Sequence, residues 1–432
     1  MKKLIVSLLL LSLLLPAFGG CKKIGLTSVW DGTVAAAFQK GDGSEKKPYR
    51  IKTAAQLAFL AQKVNEGEPY EGKYFELSRN IDLAGLEWTP IGYHENVFRG
   101  LFDGKGHSVK NMKITKGLAT TQPEGSTWVA GLFGDCRSVS LQNLTISDAT
   151  IDLTIDPCDN GFLFVGALAG RIQGPQNIEV SGIRVRKTTL KFHYSKPLEK
   201  SEQWDDWYIG GMIGAISYAG GETAHTLRFC NNESDLRVEA PSFPMYDSIP
   251  GFEIGGLVGF FRSYIPFRIE NCISSLDVAL DAKKETLTGE EHRAYPAINL
   301  GAFGSMIIIS DSGKVQNIFS KIRTNLFYGG ESRYKASYFY AALSPRIVLP
   351  EEGRHKYTDF RFENLFGFVE PQNPETGETQ ELEQQIFKVK KTTYEQAGYT
   401  ETNCRVCRSL PQDCAFPRDV FNLKDPENPK LK

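Results

Sequence analysis

Histidine is scarce in this chain, six in 432 residues, and none sits in a pair with ligand-like spacing. No H-E-x-x-H, G-x-S-x-G or phosphate-loop pattern occurs, so the sequence carries no sign of zinc-protease, serine-hydrolase or P-loop chemistry. An excess of one charge is lacking too: 50 basic residues stand against 51 acidic ones, and no polybasic character points to nucleic acid. Beyond residue 20 no run is long and apolar enough to cross a bilayer. Methionine numbers only five, whereas 41 glycines and 11% aromatics favour strands and tight turns over helical bundles.

What is present begins with Met1-Lys2-Lys3, an apolar stretch from Leu4 to Leu15, and Pro16-Ala17-Phe18-Gly19-Gly20 before Cys21. A basic start, a short apolar centre and small residues before a cleavage point make a secretory signal. The segment resembles the lipobox of bacterial lipoproteins in Gly19, Gly20 and Cys21, with Phe18 where Leu is usual. The resemblance implies a lipid on Cys21, which becomes the new N-terminus and ties the protein to a membrane. The alternative is an ordinary signal cleaved near Gly20 with Cys21 free. Lys22 follows where an inner-membrane retention signal would favour Asp, so by the same resemblance the outer membrane is expected, facing either the periplasm or the exterior. Without Lys2 and Lys3, 48 basic residues face 51 acidic ones.

An internal repeat dominates the middle of the chain. The pattern apolar-Gly-small-apolar-apolar-Gly recurs around Gly131 and Gly134, Gly166 and Gly170, Gly211 and Gly214, Gly256 and Gly259, and Gly301 and Gly304. The closing glycines are 36, 44, 45 and 45 residues apart. After each copy comes a second strand-like run, such as Leu141 to Ile146, Ile269 to Ile273 or Val315 to Phe319, and then a third that alternates apolar with polar. A unit of three short strands cannot bury its inward side chains alone. Stacked at the ~4.8 Å strand spacing, similar units hydrogen-bond to one another and share a core. The expected fold is all-β, a right-handed parallel β-helix (solenoid) with an N-terminal capping helix. The glycines are expected at corners and at close backbone approaches.

These copies resemble the GLUG repeat of secreted and surface proteins of bacteria, many of them Bacteroidetes: Gly256-Leu257-Val258-Gly259 matches literally, and Asn271-Cys272 matches its following Asn-Cys. The resemblance covers about residues 128 to 345 and implies a right-handed β-helix with no catalytic residues of its own. Upstream, Thr53 and Gln56 form a capping box for a helix with Leu57, Leu60, Ala61 and Val64 on one face, stopped by Gly67. That segment is expected to plug the solenoid end. The organisation read from the sequence is a signal peptide (1–20), a lipid-anchored tether (21–29), an N-terminal cap with first coils (30–114), GLUG-type repeats (115–369) and a C-terminal linker and cap (370–432).

Seven cysteines remain beside Cys21: Cys136, Cys158, Cys230, Cys272, Cys404, Cys407 and Cys414. Cys230 and Cys272 occupy equivalent places in adjacent repeats, either as a pair or as small core residues. Cys404, Cys407 and Cys414 favour a local disulfide over zinc, which needs a fourth ligand. The most suggestive polar cluster is Trp204-Asp205-Asp206-Trp207-Tyr208. Rings that stack on sugars beside carboxylates that bind hydroxyls suit a glycan site, although the same residues could simply pin an insertion onto the wall. As a glycosidase pair, Asp205 and Asp206 are opposed by strand alternation, which points neighbours to opposite faces. The Phe102-Asp103-Gly104-Lys105-Gly106-His107 segment is similar to one in pectin-degrading enzymes, but the downstream carboxylates and Gly-His-Gly of those enzymes are missing, and Asp103-Gly104 suits a turn.

No catalytic residue, metal or cofactor is assigned. The leading expectation is a non-catalytic cell-envelope lipoprotein, an adhesin-like carbohydrate- or protein-binding module whose partners are the membrane, through Cys21, and a glycan or a host or surface protein. Insertions at about 192–208, 240–252 and 281–297 are the expected binding loops. The rival is a polysaccharide lyase or glycoside hydrolase of the β-helix type, and a third reading is a structural component of a surface assembly.

Overall fold

The computed structural model describes residues 27–432 apart from interruptions, the longer of which are 157–160, 196–204, 218–224, 245–250, 281–292, 325–337, 349–358, 372–385 and 390–398. Cys21, Cys158, Trp204 and much of the three expected binding loops lie outside the described residues.

The described chain winds into a parallel β-helix. One wall carries Phe133–Arg137, Ala169–Gln173, Ile213–Ser217, Gly251–Ser263, Ala297–Ile308, Ser344–Val348 and Phe387–Val389, each paired in parallel with the next. A second carries Leu101–Asp103, Ser140–Gln142, Glu179–Ser181, His225–Arg228 and then the first halves of Phe267–Leu280, Ser312–Thr324 and Asp359–Pro371. A third begins with Ser108–Lys110, Thr145–Ser147, Arg184–Tyr194 and Asn231–Glu239 and merges with the second where the later strands run on around the corner. Residues 387–406 add one more set of rungs, through Phe387–Val389, Tyr399–Thr402 and Arg405–Val406.

Register builds the core. Because side chains alternate across a strand, parallel in-register pairing stacks like on like. Phe75, Phe102, Leu141, Val180, Leu227, Ile269, Val315 and Phe362 form one continuous buried column. Each such side chain contributes about 1.5–3 kcal/mol by leaving water, and that gain recurs at every rung. At the N-terminal end, helix α1 (Ala54–Asn65) lies over the first coils with Leu57, Leu60, Ala61 and Val64 buried. Its start is fixed by a capping box: Thr53 Oγ1 accepts from Gln56 N at 3.2 Å, and Gln56 Oε1 accepts from Thr53 N at 3.3 Å.

The closing glycines form a column of their own. A Cβ on Gly170, Gly214, Gly259 or Gly304 would fall 2.2–2.8 Å from the carbonyl oxygen of the glycine one coil earlier, Gly134, Gly170, Gly214 and Gly259 respectively. The column extends one coil further toward the N-terminus, to Gly92, whose oxygen would lie 2.3 Å from a Cβ on Gly134. The opening glycines are crowded as well, by Gly166 O at Gly131, Met212 O at Gly166, Gly256 O at Gly211, Leu343 O at Gly301, and a side-chain hydroxyl, Ser274 Oγ, at Gly256.

At the turn between the second and third walls, Asn271, Asn317, Asn364 and Asn403 all adopt left-handed backbone, φ 54° to 58°. Asparagine tolerates that region better than other side-chain-bearing residues. Here each amide also serves its neighbour: Asn317 Nδ2 donates to Asn271 Oδ1 at 2.8 Å, Asn364 to Asn317 at 3.0 Å and Asn403 to Asn364 at 2.9 Å. Asn317→Ala is expected to cost about 2 kcal/mol, from left-handed strain and two lost amide bonds. Asn317→Gly keeps the backbone freedom and should recover about 1 kcal/mol of this. Urea midpoints for the two variants check the order.

The cysteine expectations resolve differently at each place. Cys136, Cys230, Cys272, Cys404, Cys407 and Cys414 are all free thiols. Cys230 and Cys272 are fully buried on adjacent rungs within the core. Cys404 packs against that same core, whereas Cys407 and Cys414 pack against an outer cluster built on Ile273, Phe319 and Phe366. Cys404 does not join the other two: it lies between Tyr399–Thr402 and Arg405–Val406, just after the left-handed turn at Asn403, and faces the core, while Cys407 and Cys414 share the outer cluster.

Candidate functional site

Strand Asp205–Gly210 leads into a repeat glycine, and its alternation divides the expected sugar-facing cluster. Trp207 points inward and is 0% exposed, its ring stacked on Phe252 at 4.6 Å and 8° and set edgewise to Phe192 at 6.0 Å. The expectation that Trp207 faces a ligand is therefore corrected: an indole of that size is worth more in the core than on the wall. Asp206 and Tyr208 point outward. The side chain of Asp205 is outside the described residues, as is Trp204.

Tyr208 belongs to an outward column with Val129, Phe164, Glu253 and Asn299, each stacked on the next by the rung register. Past the glycine corner, the outward positions of the same coils are Asp135, Arg171, Ala215, Phe260, Ser305 and Arg346. These columns meet. Val129, Phe164 and Ala215 form one buried cluster outside the main core, joined by Tyr93, Tyr208 and Phe260. Residues 208 and 214 would stand about 20 Å apart on an extended strand, yet Tyr208 O lies only 2.8 Å from where a Cβ on Gly214 would stand, so the wall is folded along the glycine column into a crease. The glycines make that fold possible.

The crease is lined by rings and charges. Phe162, 39% exposed, stacks on Phe164 at 6.2 Å and 14°, Phe164 on Tyr208 at 5.1 Å and 12°, and Tyr208 tilts against Phe260 at 5.0 Å. The Arg171 guanidinium lies 4.9 Å from the Phe164 ring centre. Tyr208 Oη donates to Asp206 Oδ2 at 3.4 Å. On the next coil Glu253, only 7% exposed, accepts from Asn299 Nδ2 at 2.9 Å and faces Arg346 Nη1 at 3.9 Å.

Burial governs the titration of these groups. It raises the Asp206 carboxyl above its ordinary range, against hydrogen bonds from Gly251 N and Tyr208. It pushes Glu253 up to about 7, with Ser305, Arg346 and Asn299 pulling down and Asp206 adding to the rise. In the second wall, burial lowers His225 to about 4, and its Nδ1 accepts from Ile178 N at 3.3 Å, as a neutral imidazole can.

The two groups have opposite consequences for stability. Between 4.5 and about 7 folded Glu253 holds a proton that the unfolded chain has released, so its contribution is lost as pH rises, by about 3 kcal/mol above pH 7. For His225 the unfolded chain gains the proton first, so stability is lost as pH falls from 6.5 toward 4. Glu253→Gln is expected to uncover the histidine limb, losing about 2 kcal/mol between pH 7 and pH 5 while the wild type changes much less. Parallel urea-midpoint profiles for the two proteins would contradict this assignment.

Glu253, Asn299, Arg346, Phe162, Phe164 and Phe260 were not singled out from the sequence. A signal for three of them existed. Phe164, Tyr208, Glu253 and Asn299 each stand two residues before the first glycine of a repeat motif, Gly166, Gly210, Gly255 and Gly301 respectively. Aligning the repeats on those glycines places all four in one column. Among the described residues no group of three or more His, Cys, Asp or Glu is arranged to hold a metal ion, and no helix is long and apolar enough to cross a membrane.

No family model matches the chain. It is similar to halomucin of Haloquadratum walsbyi, 29% identical over 164 residues, which are 35% of this chain and 2% of halomucin. It is also similar to a protein of Evansella cellulosilytica described as a candidate Gly-rich membrane protein, 30% identical over 147 residues, 32% of this chain and 15% of that protein. The chain thus spans a small part of the length of either relative. Among solved structures, a Bacteroides ovatus chain described as a candidate immunoglobulin A1 protease aligns over 91% of this chain and 95% of its own, with 15% identity and a TM-score of 0.44.

Proposed function

We propose that this protein is a non-catalytic cell-envelope lipoprotein of the GLUG-repeat type, tethered through Cys21, whose creased wall binds glycans. The observation that carries the reading is the outward stack Phe162-Phe164-Tyr208-Phe260 with Asp206, Glu253 and Arg346 beside it. The exposed Phe162 ring, at the outer end of the stack, offers apolar area to a sugar ring, and the charged groups fix hydroxyls at its edge. A stacked ladder also repeats along the solenoid, which suits a polymeric ligand lying along the axis. The signal sequence and a relative described as a membrane protein support the envelope placement.

The test is a glycan array probed with the mature chain carrying Cys21→Ser. Phe162→Ala leaves the core untouched, so its stability should change by less than about 0.5 kcal/mol. Affinity for the retained glycan should fall at least about tenfold, the worth of one lost stacking face. Failure to retain any glycan would overturn the reading.

One observation favours a second reading, a polysaccharide lyase or glycoside hydrolase. Two carboxyls with raised values, Glu253 at about 7 and Asp206 beside it, are the kind of pair that exchanges protons across a glycosidic bond. Release of reducing or unsaturated sugar ends from acidic polysaccharides, lost in Glu253→Gln, would establish it.

A further inference from the structure

On the side of the solenoid away from the crease, a trough follows the turn between the second and third walls. Its flank is a register column that changes character along the axis: Thr145, Arg184 and Asn231 are polar, whereas Ile273, Phe319 and Phe366 are apolar. The C-terminal segment covers the apolar half with Leu410, Phe416 and Phe421. It is braced by a short pairing of Phe421–Asn422 with Lys430–Leu431, and it reaches Arg184, whose Nη2 donates to Lys432 O at 2.6 Å. Over the polar half the trough stays open as a cavity of about 660 Å³.

We propose that this cavity binds a short saccharide bearing a carboxylate or sulfate. Its size is within the ordinary range for small-ligand sites. Gln142, Ser181 and Thr145 present amide and hydroxyl groups suited to sugar hydroxyls. Gly182 keeps the floor low, since a Cβ there would meet Asn143 Oδ1 at 2.7 Å. Arg184, Arg228 and Lys432 bring three basic side chains to the lining, where Asp419 is the one acidic side chain, and Arg184 is held in place by Lys432 O. Glu179 orients Arg228 at 3.1 Å from outside the lining. Guanidinium forks match the planar or tetrahedral oxygens of carboxylate and sulfate. Among the described residues Leu431 is the only apolar side chain of the lining.

Titration calorimetry with the mature chain tests this, using trigalacturonate, a sulfated chondroitin disaccharide and neutral maltotriose. At least one anionic sugar should bind more tightly than about 1 mM, and maltotriose should not. Arg228→Gln and Thr145→Trp, which fills the cavity from an outward position, should each weaken binding at least about tenfold. Phe162→Ala should leave it unchanged, which separates this site from the crease. The absence of any anionic binding, equal binding of maltotriose, or anionic binding unaffected by both cavity variants would overturn the proposal.

Discussion

Gly259→Val is expected to lower the stability of the solenoid on the order of 5 kcal/mol and to shift its thermal midpoint by about 10 °C or more. A Cβ at this position would stand 2.6–2.7 Å from Ile209 N, Gly214 O and Ile209 O. All three are backbone atoms of the preceding rung, held in place by the ladder, so no rotamer change relieves the clash. Either the rungs separate and lose hydrogen bonds, or the crease opens and exposes the cluster around Phe164 and Ala215. Two comparisons isolate the cause. At Gly256 the nearest atom is the rotatable Ser274 hydroxyl, so Gly256→Ala should be milder than Gly259→Ala. At Gly251 a Cβ meets only Asp206 Oδ1 at 3.4 Å, and Gly251→Ala should melt close to the wild type. A Gly259→Val protein that melts within a degree or two of the parent would show that the glycine column does not set the rung spacing.

The second large effect is expected at Arg171. Asp135 is 0% exposed, and Arg171, one coil on, reaches it with Nε at 3.3 Å and with a closer contact from Nη2 to Oδ2. Gln173 Nε2 approaches the same carboxylate at 3.4 Å. Replacing Arg171 by Leu leaves a buried carboxylate without its cation and is expected to cost about 3–5 kcal/mol. Asp135→Asn combined with Arg171→Leu removes the orphaned charge and should regain at least half of that loss, because most of the cost is desolvation rather than the bond itself. A double-mutant cycle in urea measures it. Equal destabilisation by Arg171→Leu in the parent and in the Asp135→Asn background would mean that Arg171 acts through its packing on Phe164 instead.

The sequence was informative wherever a single rung dictates its own geometry. A glycine every 44 or 45 residues, a capping box at Thr53 and Gln56, and strand alternation around Val315 are local patterns, and each has its structural counterpart in the ladder. The recurring amide after Gln or Glu, in Gln142-Asn143, Glu270-Asn271, Gln316-Asn317 and Glu363-Asn364, was equally visible but carries its meaning only when stacked. The Trp204 to Tyr208 cluster shows the limit more sharply. Alternation alone separates Trp207 from Tyr208, yet it does not say which of the two faces is the core; Phe252 and Phe192 decide that from neighbouring coils.

The chain's own order of residues determined the architecture of this protein: a repeat whose strands bury one face and whose glycines permit close stacking has one economical way to fold, because every rung must pair its backbone with the next. Tertiary structure alone decided the surfaces. The crease joins residues 6 apart in sequence within one coil and about 45 apart between coils, and the open half of the trough is lined jointly by Gln142, Arg184, Arg228 and Asp419 from widely separated parts of the chain. Such sites arise from the sum of coil lengths and register, quantities that no single repeat contains.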